Sequence, residues 1–446
     1  MNTVKKMRTQ IFSNKLLTAL VVATISFGVV ANAPAQTESI LHKFNANAGE
    51  GRYPEGAVVF DSNGNLYTTA NGGGSASCGG GFACGVVFEL SPTSLGPWPE
   101  TVIDFLSGGQ AGENPAAGLV FDASGNLYGT ATAGGNLNDC SGAGCGVVFQ
   151  LSPQPGGRWR ETVLHTFTGG RDGAVPFSSL IFDAAGNLYG TTSQGGVPDC
   201  GGGPGCGTVF ELSPDGVGHW HETVLHAFTG GRDGWAPYSS LIFDAAGNLY
   251  GNTAAGGSVA SCSGEGCGVI FELSPTSGGS WTETVLHAFN GVSDGSDPIG
   301  NLVFDSAGNL YGVTFFASTG CDGQGCGTIF ELSPTSGGQW KGKGLHIFSG
   351  GVDGAYPAAG LVLDAAGNVY GTASRGGGPC GCGVVFKFSP KSSGGWQETL
   401  LHTFTGGTAD GLLPFASLVF DSAGNLYGTT FGGGTAGYGT VFEITP

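Results

Sequence analysis

Positive charge is scarce in this sequence. It carries 15 Lys and Arg against 33 Asp and Glu, a formal net charge of −18 at pH 7. A surface of that sign repels phosphate backbones, so nucleic acid is excluded as a partner class. Sustained helical periodicity is also missing, which excludes a helical architecture. No P-loop, dinucleotide fingerprint or Ser/His/Asp set is present, and the repeated Gly-Gly-Gly runs open no helix that would cradle a phosphate. Only one long apolar run occurs, Leu16 to Val30.

That run settles how the first residues are read. Lys5, Lys6, Arg8 and Lys15 give a positive start, and Ala33-Pro34-Ala35 supplies small residues where a signal peptidase cuts. Residues 1–35 therefore read as a secretory signal, cleaved before Gln36 and too short for a comfortable membrane span. Residues 36–446 read as one domain with no membrane span. They keep 11 basic against 33 acidic residues, a net charge of −22. No Cys precedes Cys78, so a lipoprotein anchor is not expected, and no sorting tail follows the last repeat.

Repetition is what the chain has in abundance. The motif D-x-x-G-N-hydrophobic-Y starts at Asp61, Asp122, Asp183, Asp244, Asp305, Asp364 and Asp421. The first five starts are 61 residues apart and the next gaps are 59 and 57. A fixed period of this size marks one supersecondary unit copied in tandem. The 88 glycines recur in register with apolar strand patterns, so they are turn residues rather than a sign of disorder.

One repeat shows the unit. Ser179 to Asp183 is a first β-type run, Ala184-Ala185-Gly186-Asn187 a turn, and Leu188 to Thr192 a second strand. A Gly-rich loop with Cys200 and Cys206 leads to a third strand, Thr208 to Leu212, stopped by Ser213-Pro214, and Trp220 to Phe228 is the fourth. Four short antiparallel strands per period describe one blade of a β-propeller. The fold class is thus all-β, a seven-bladed β-propeller with four antiparallel strands per blade. The last repeat, after Ser417–Asp421, Leu426–Thr430 and Thr440–Ile444, lacks a fourth strand. Glu38 to Phe44 matches the missing E-T-V-L-H-T-F pattern, so the N-terminal strand is expected to close the last blade and remove an exposed edge.

The cysteines pair locally: Cys78/Cys84, Cys140/Cys145, Cys200/Cys206, Cys262/Cys267, Cys321/Cys326 and Cys380/Cys382. An even count after an export signal predicts disulfides. Cys380-Gly381-Cys382 leaves little room for a bridge, so free thiols are the alternative there. The seventh repeat has Gly437-Tyr438-Gly439 instead of a pair.

Several recurrent residues are candidates for chemistry. Histidine recurs in the fourth strand at His42, His165, His226, His287, His346 and His402, with Asp104 at the equivalent place. Strand four lies about 14 Å outside the axial strand, so these side chains cannot converge on one metal and are expected to pack between blades. Trp98, Trp159, Trp220, Trp281, Trp340 and Trp396 precede the fourth strand and read as covers of a blade edge, or as sugar-stacking platforms. The connections into strand one share an end of the ring with the cysteine loops and carry Asp172, Asp233, Asp294, Asp353 and Asp410, each followed by Gly. Glu50 and Glu113 stand nearby in the first two repeats, and Trp235, Phe177, Tyr238, Tyr356 and Phe415 lie close in sequence. An acidic rim with aromatics, including Trp235 and Tyr356, is the expected ligand-binding face. Asp-Gly is also an ordinary turn dipeptide.

The sequence F-D-A-A-G-N-L-Y-G-T-T, then G-T-V-F-E-L-S-P and E-T-V-L-H-T-F, resembles the bacterial GloVer tandem repeat of secreted proteins, across nearly all of Glu38 to Pro446. The strand order is similar to NHL and gluconolactonase-like propellers. The latter use a Glu with Asn or Asp near the axis to hold a divalent cation. The resemblance implies Glu55 and Asn301 as metal ligands for calcium or zinc, among axial positions otherwise filled by Ala, Ser and Gly. The expected function is a secreted, non-catalytic binding or interaction module with no bound cofactor, acting as a monomer on a carbohydrate or an envelope or matrix protein. The alternatives are a cation-dependent, lactonase-like hydrolase and a purely structural extracellular protein.

Overall fold

The computed structural model describes residues 36–45, 49–74, 84–94, 96–198, 200, 203–258, 262–317, 321 and 325–446. The signal assigned to residues 1–35 and the cysteine Cys78 lie outside the described residues. Seven four-stranded antiparallel sheets follow one another along residues 36–446, and the chain is a seven-bladed propeller. The third blade is typical: Ile181–Phe182, Leu188–Thr192, Thr208–Pro214 and Trp220–Ala227, paired in sequence order. Single 3-10 turns, such as Gly109–Ala111, are the only helical elements among the described residues. None of these is long and apolar enough to cross a membrane.

The ring closes as the sequence predicts. Thr37–Lys43 pairs antiparallel with Thr440–Thr445, with Glu38 opposite Ile444 and Ile40 opposite Phe442. A bulge between Ile40 and His42 repeats the register shift that the third and fourth strands of the other six blades show. The innermost strands are shorter than expected: only Ile181–Phe182 pair in the third blade, not Ser179 to Asp183. The reason is competition, because the backbone N–H of Ser179 instead donates to Ser240 Oγ of the next blade at 2.9 Å.

The repeated motif is a turn and a seam in one. Asp244 Oδ1 accepts from the N–H groups of Ala246 and Asn248, both within 2.9 Å, while its Oδ2 accepts from Asn248 Nδ2 at 2.8 Å and the Tyr250 hydroxyl at 3.1 Å. Gly247 takes φ +87°, a conformation that glycine adopts without Cβ strain. The Tyr250 ring then crosses to the next blade, edge-on to Phe304 at 5.0 Å and to Trp340 at 6.2 Å. The closing seam is built alike, with Tyr427 against Phe60 at 4.9 Å and Trp98 at 6.4 Å. The tryptophans are therefore inter-blade packing.

A second layer of each seam is phenylalanine on phenylalanine. Phe228 of the third blade meets Phe271 of the fourth edge-on at 5.2 Å, and Phe44 meets Phe88 at 5.1 Å across the closing seam. All four rings are fully buried. Edge-to-face pairs of this kind contribute about 0.5–1.5 kcal/mol beyond their buried area.

A third layer is backbone. The residue before each axial proline has positive φ: Tyr53, Asn114, Val175, Ala236, Asp297, Tyr356 and Leu413 lie between 54° and 60°. Such a conformation costs about 1–2 kcal/mol in a non-glycine residue. It aims each N–H at the previous blade, for example Val175 at the Cys145 carbonyl, 2.9 Å away. At the closing seam Tyr53 N–H reaches the Tyr438 carbonyl at 2.8 Å. The following Pro54 presses on Gly439, where an added Cβ would stand 2.7 Å from the proline Cδ.

These contacts make the motif aspartate a stability determinant. Asp244→Ala should lower unfolding free energy by about 2–3 kcal/mol, since it strands part-buried donors, while Tyr250→Phe, which loses one bond, should cost about 1 kcal/mol. Urea denaturation of the two variants checks the ranking.

Candidate functional site

The triplet that follows each axial proline leads into the inner strand. The seven triplets are Glu55-Gly56-Ala57, Ala116-Ala117-Gly118, Phe177-Ser178-Ser179, Tyr238-Ser239-Ser240, Ile299-Gly300-Asn301, Ala358-Ala359-Gly360 and Phe415-Ala416-Ser417. All but Gly56, Ser239 and Gly300 of these line a cavity of about 430 Å³ on the ring axis. The chain enters each inner strand from the loop end, so the first residue of a triplet stands nearest the mouth.

That first position breaks the symmetry. Phe177 and Tyr238 stand edge-to-face, 5.8 Å apart, and are 38% and 39% exposed. Ile299 and Phe415 extend the apolar wall. Glu55 holds the same register in the first blade and is the one carboxylate among the lining residues. Burial raises the pKa of Glu55, opposed by a hydrogen bond from Asn71 Nδ2 at 3.3 Å. Burial also raises that of Tyr238, as does the charge of Asp297.

The third position is a polar belt. Asn301 Oδ1 accepts from Ser240 N–H at 2.8 Å, and Ser417 Oγ accepts from Gly360 N–H at 2.9 Å. Glu55 and Asn301, the two exceptions in the sequence's small-residue lining, both line this cavity. The amide oxygen of Asn301 is already engaged by the backbone, however, and Glu55 has no second carboxylate beside it. The cavity offers apolar contact, hydrogen bonding and one acidic group.

The predicted rim residues lie elsewhere. None of Asp172, Asp233, Asp294, Asp353, Asp410, Trp235 and Tyr356 lines the axial cavity. Tyr356 stacks on Phe315 at 5.1 Å, and Trp235 Nε1 donates to the Glu265 carbonyl at 3.3 Å. Each aspartate caps its own loop. Asp172 accepts from the Thr168 N–H at 2.8 Å and hydroxyl at 2.6 Å, and Asp233 repeats this with Thr229. Each also faces the histidine of its own fourth strand: His165–Asp172 at 3.7 Å, His226–Asp233 at 3.5 Å, His287–Asp294 at 2.9 Å, His346–Asp353 at 3.2 Å and His402–Asp410 at 3.3 Å.

A third member arrives from the neighbouring blade. A glutamate at the fourth-strand register four residues before the histidine, replaced by Gly342 before His346, faces the preceding blade's pair, and its recurrence at a fixed register was the overlooked signal. Burial pushes Glu222 and Glu283 up to about 7, with Asp172 and Asp233 raising them and His165 and His226 opposing. Burial and Asp353 push Glu398 up to about 7. Where Asp104 replaces histidine, burial and Asp104 push Glu161 up to about 8, and burial takes Asp104 to about 6.

The cysteine loops sit over the capped loops. Bridges join Cys140 to Cys145, Cys200 to Cys206, Cys262 to Cys267, Cys321 to Cys326 and Cys380 to Cys382. Cys84 is disulfide-bonded as well. The Cys380–Cys382 bridge answers the free-thiol alternative. Gly169 lies over the first of these bridges and Gly230 over the second.

The repeat that builds this ring has relatives. The Gloeobacter/Verrucomicrobia repeat model matches residues 22–202, 144–379 and 259–446. The chain belongs to that family. No curated protein matches it. Among solved structures, this Gloeobacter/Verrucomicrobia repeat protein is similar to an oxidoreductase described as a glucose dehydrogenase from Thermus thermophilus, with 16% identity, TM-score 0.43, and coverage of 79% of this chain and 99% of that one. It is also similar to the PQQ-bound form of aldose sugar dehydrogenase from Streptomyces coelicolor, with 12% identity, TM-score 0.41, and coverage of 92% and 98%. At these identities and TM-scores the likenesses carry no argument about this chain.

The raised glutamates set a pH dependence. Between the ordinary glutamate pKa and their raised values the folded chain holds protons that the unfolded chain releases, so stability falls as pH rises. The motif aspartates, held low by their turn hydrogen bonds, act oppositely and lose their contribution only in stronger acid. The melting temperature should therefore peak in weak acid and decline toward pH 9, and Glu161→Gln should flatten that decline. Calorimetry from pH 4 to 9 tests both.

Proposed function

We propose that the chain is a binding module that takes a carbohydrate, free or on an envelope or matrix protein, into the axial cavity. The supporting observation is the asymmetric mouth: an apolar arc of Phe177, Tyr238, Ile299 and Phe415 facing one carboxylate, Glu55, above a belt of serine and asparagine. Aromatic faces suit the apolar faces of sugars, and the polar groups suit their hydroxyls. The volume falls in the range of about 300–1,000 Å³ common for small-ligand sites. The donor set argues against the cation-dependent hydrolase, because Glu55 stands alone. Residues 36–446 form the functional domain, exported by residues 1–35. The local disulfides support an oxidising, extracellular or periplasmic location.

A glycan array with the intact protein, followed by calorimetric titration of any hit, tests this reading. Tyr238→Ala and Phe177→Ala should each weaken binding at least tenfold, about 1.4 kcal/mol. A blank array, or a hit indifferent to both substitutions, would leave the structural role.

A further inference from the structure

We propose a divalent metal site of the zinc class at the closing seam, made by His42, Glu50 and Glu100. The three offer one ligand atom each, all within 4.8 Å of one another. His42 belongs to the N-terminal strand that completes the seventh blade, and Glu100 begins the fourth strand of the first. Glu50 stands in the connection between them, in the repeat register held elsewhere by the loop-capping aspartates. It is the seam cluster in which a glutamate replaces that aspartate.

The tautomer of His42 carries the argument. Its Nδ1 lies 3.0 Å from the Trp98 carbonyl, an acceptor only, so Nδ1 bears the hydrogen. With the hydrogen on Nδ1, Nε2 would present a bare lone pair to a metal ion. That lone pair faces Glu100 Oε2 at 3.3 Å. Glu100 is only 4% exposed; its Oε1 accepts from Gly51 N–H at 2.9 Å, and its Oε2 is buried with no hydrogen-bond partner. A cation between these two buried atoms would satisfy both, and the carboxylate of Glu50 completes a ligand set for a metal ion. A ring N–H held by a backbone carbonyl, with the other nitrogen turned to an acidic group, is the usual outer support of a metal-ligating histidine.

The spacing selects the ion. Ligands about 2.0–2.1 Å from a tetrahedral zinc stand about 3.3–3.4 Å apart, which is the His42–Glu100 separation. One imidazole nitrogen with two carboxylates suits zinc and its neighbours, whereas calcium prefers oxygen alone. Water would fill the fourth position. Bound there, the ion would tie the strand that closes the ring to the blade where the ring begins.

The test uses untagged full chain, stripped with chelator and reloaded with zinc. Elemental analysis should find at least one equivalent in the wild type, and Glu100→Gln and His42→Gln should each hold one fewer. Zinc should raise the melting temperature of the wild type more than that of either variant. No zinc uptake by the wild type, or equal uptake by Glu100→Gln, overturns the site. So does uptake lost in His402→Gln but kept in Glu100→Gln, which would place the ion at the neighbouring Glu38/His402/Asp410 cluster. Should the variants fail to fold, X-ray absorption of the cobalt-loaded wild type decides: nitrogen and oxygen donors support the site, and sulfur donors or no cobalt uptake overturn it.

Discussion

The seam between blades is the interaction on which the rest depends. A four-stranded sheet with an inner strand of two paired residues buries too little on its own to be stable. Its faces are finished only by its neighbours, through the tyrosine, tryptophan and phenylalanine contacts. A row of such sheets would leave two faces bare. A ring leaves none, provided that the first and last blades meet as the others do. Tyr427 on Phe60, Phe44 on Phe88 and Pro54 on Gly439 are that meeting. The positive φ before every axial proline is the local cost that this geometry carries, offset each time by a hydrogen bond to the preceding blade.

Residues that recur seven times do the building, and those that differ mark where chemistry has room. The motif Asp, Gly, Asn and Tyr are identical in every blade because each blade faces the same turn and the same seam. The first residue after the axial proline is under no such constraint. Its side chain meets the cavity rather than a neighbouring sheet, so Glu55, Phe177 and Ala358 can occupy equivalent places. The seam clusters lie between these extremes. Most keep an acid–histidine–acid set, but Asp104 and Gly342 each replace one member, so the set is not required for packing everywhere.

Much of this was legible in advance. The period, the turn aspartates and the Glu38 to Phe44 match to a missing strand gave blade number, topology and closure, because strand pairing and turn chemistry are local. Glu55 and Asn301 were visible as exceptions in a small-residue lining. The rim aspartates are held outside the cavity lining for a local reason. Thr168, Thr229 and Ser349 lie four residues upstream and draw Asp172, Asp233 and Asp353 into their own loops. An Asp-Gly pair in isolation does not reveal that capture.

The sequence by itself determined the repeat, the strand order and the identity of the seam residues, since each is encoded within one period and enforced by short-range hydrogen bonding. Only the tertiary structure decided which side chains from different periods meet. Glu100 lies 58 residues from His42 along the chain, and Asn301 lies 61 from Ser240. Those distances in sequence collapse to hydrogen-bonding range because the ring places equivalent positions of adjacent blades side by side. Contacts of that kind depend on blade curvature and on a bulge in each outer strand pair, and neither is written in the residues that they bring together.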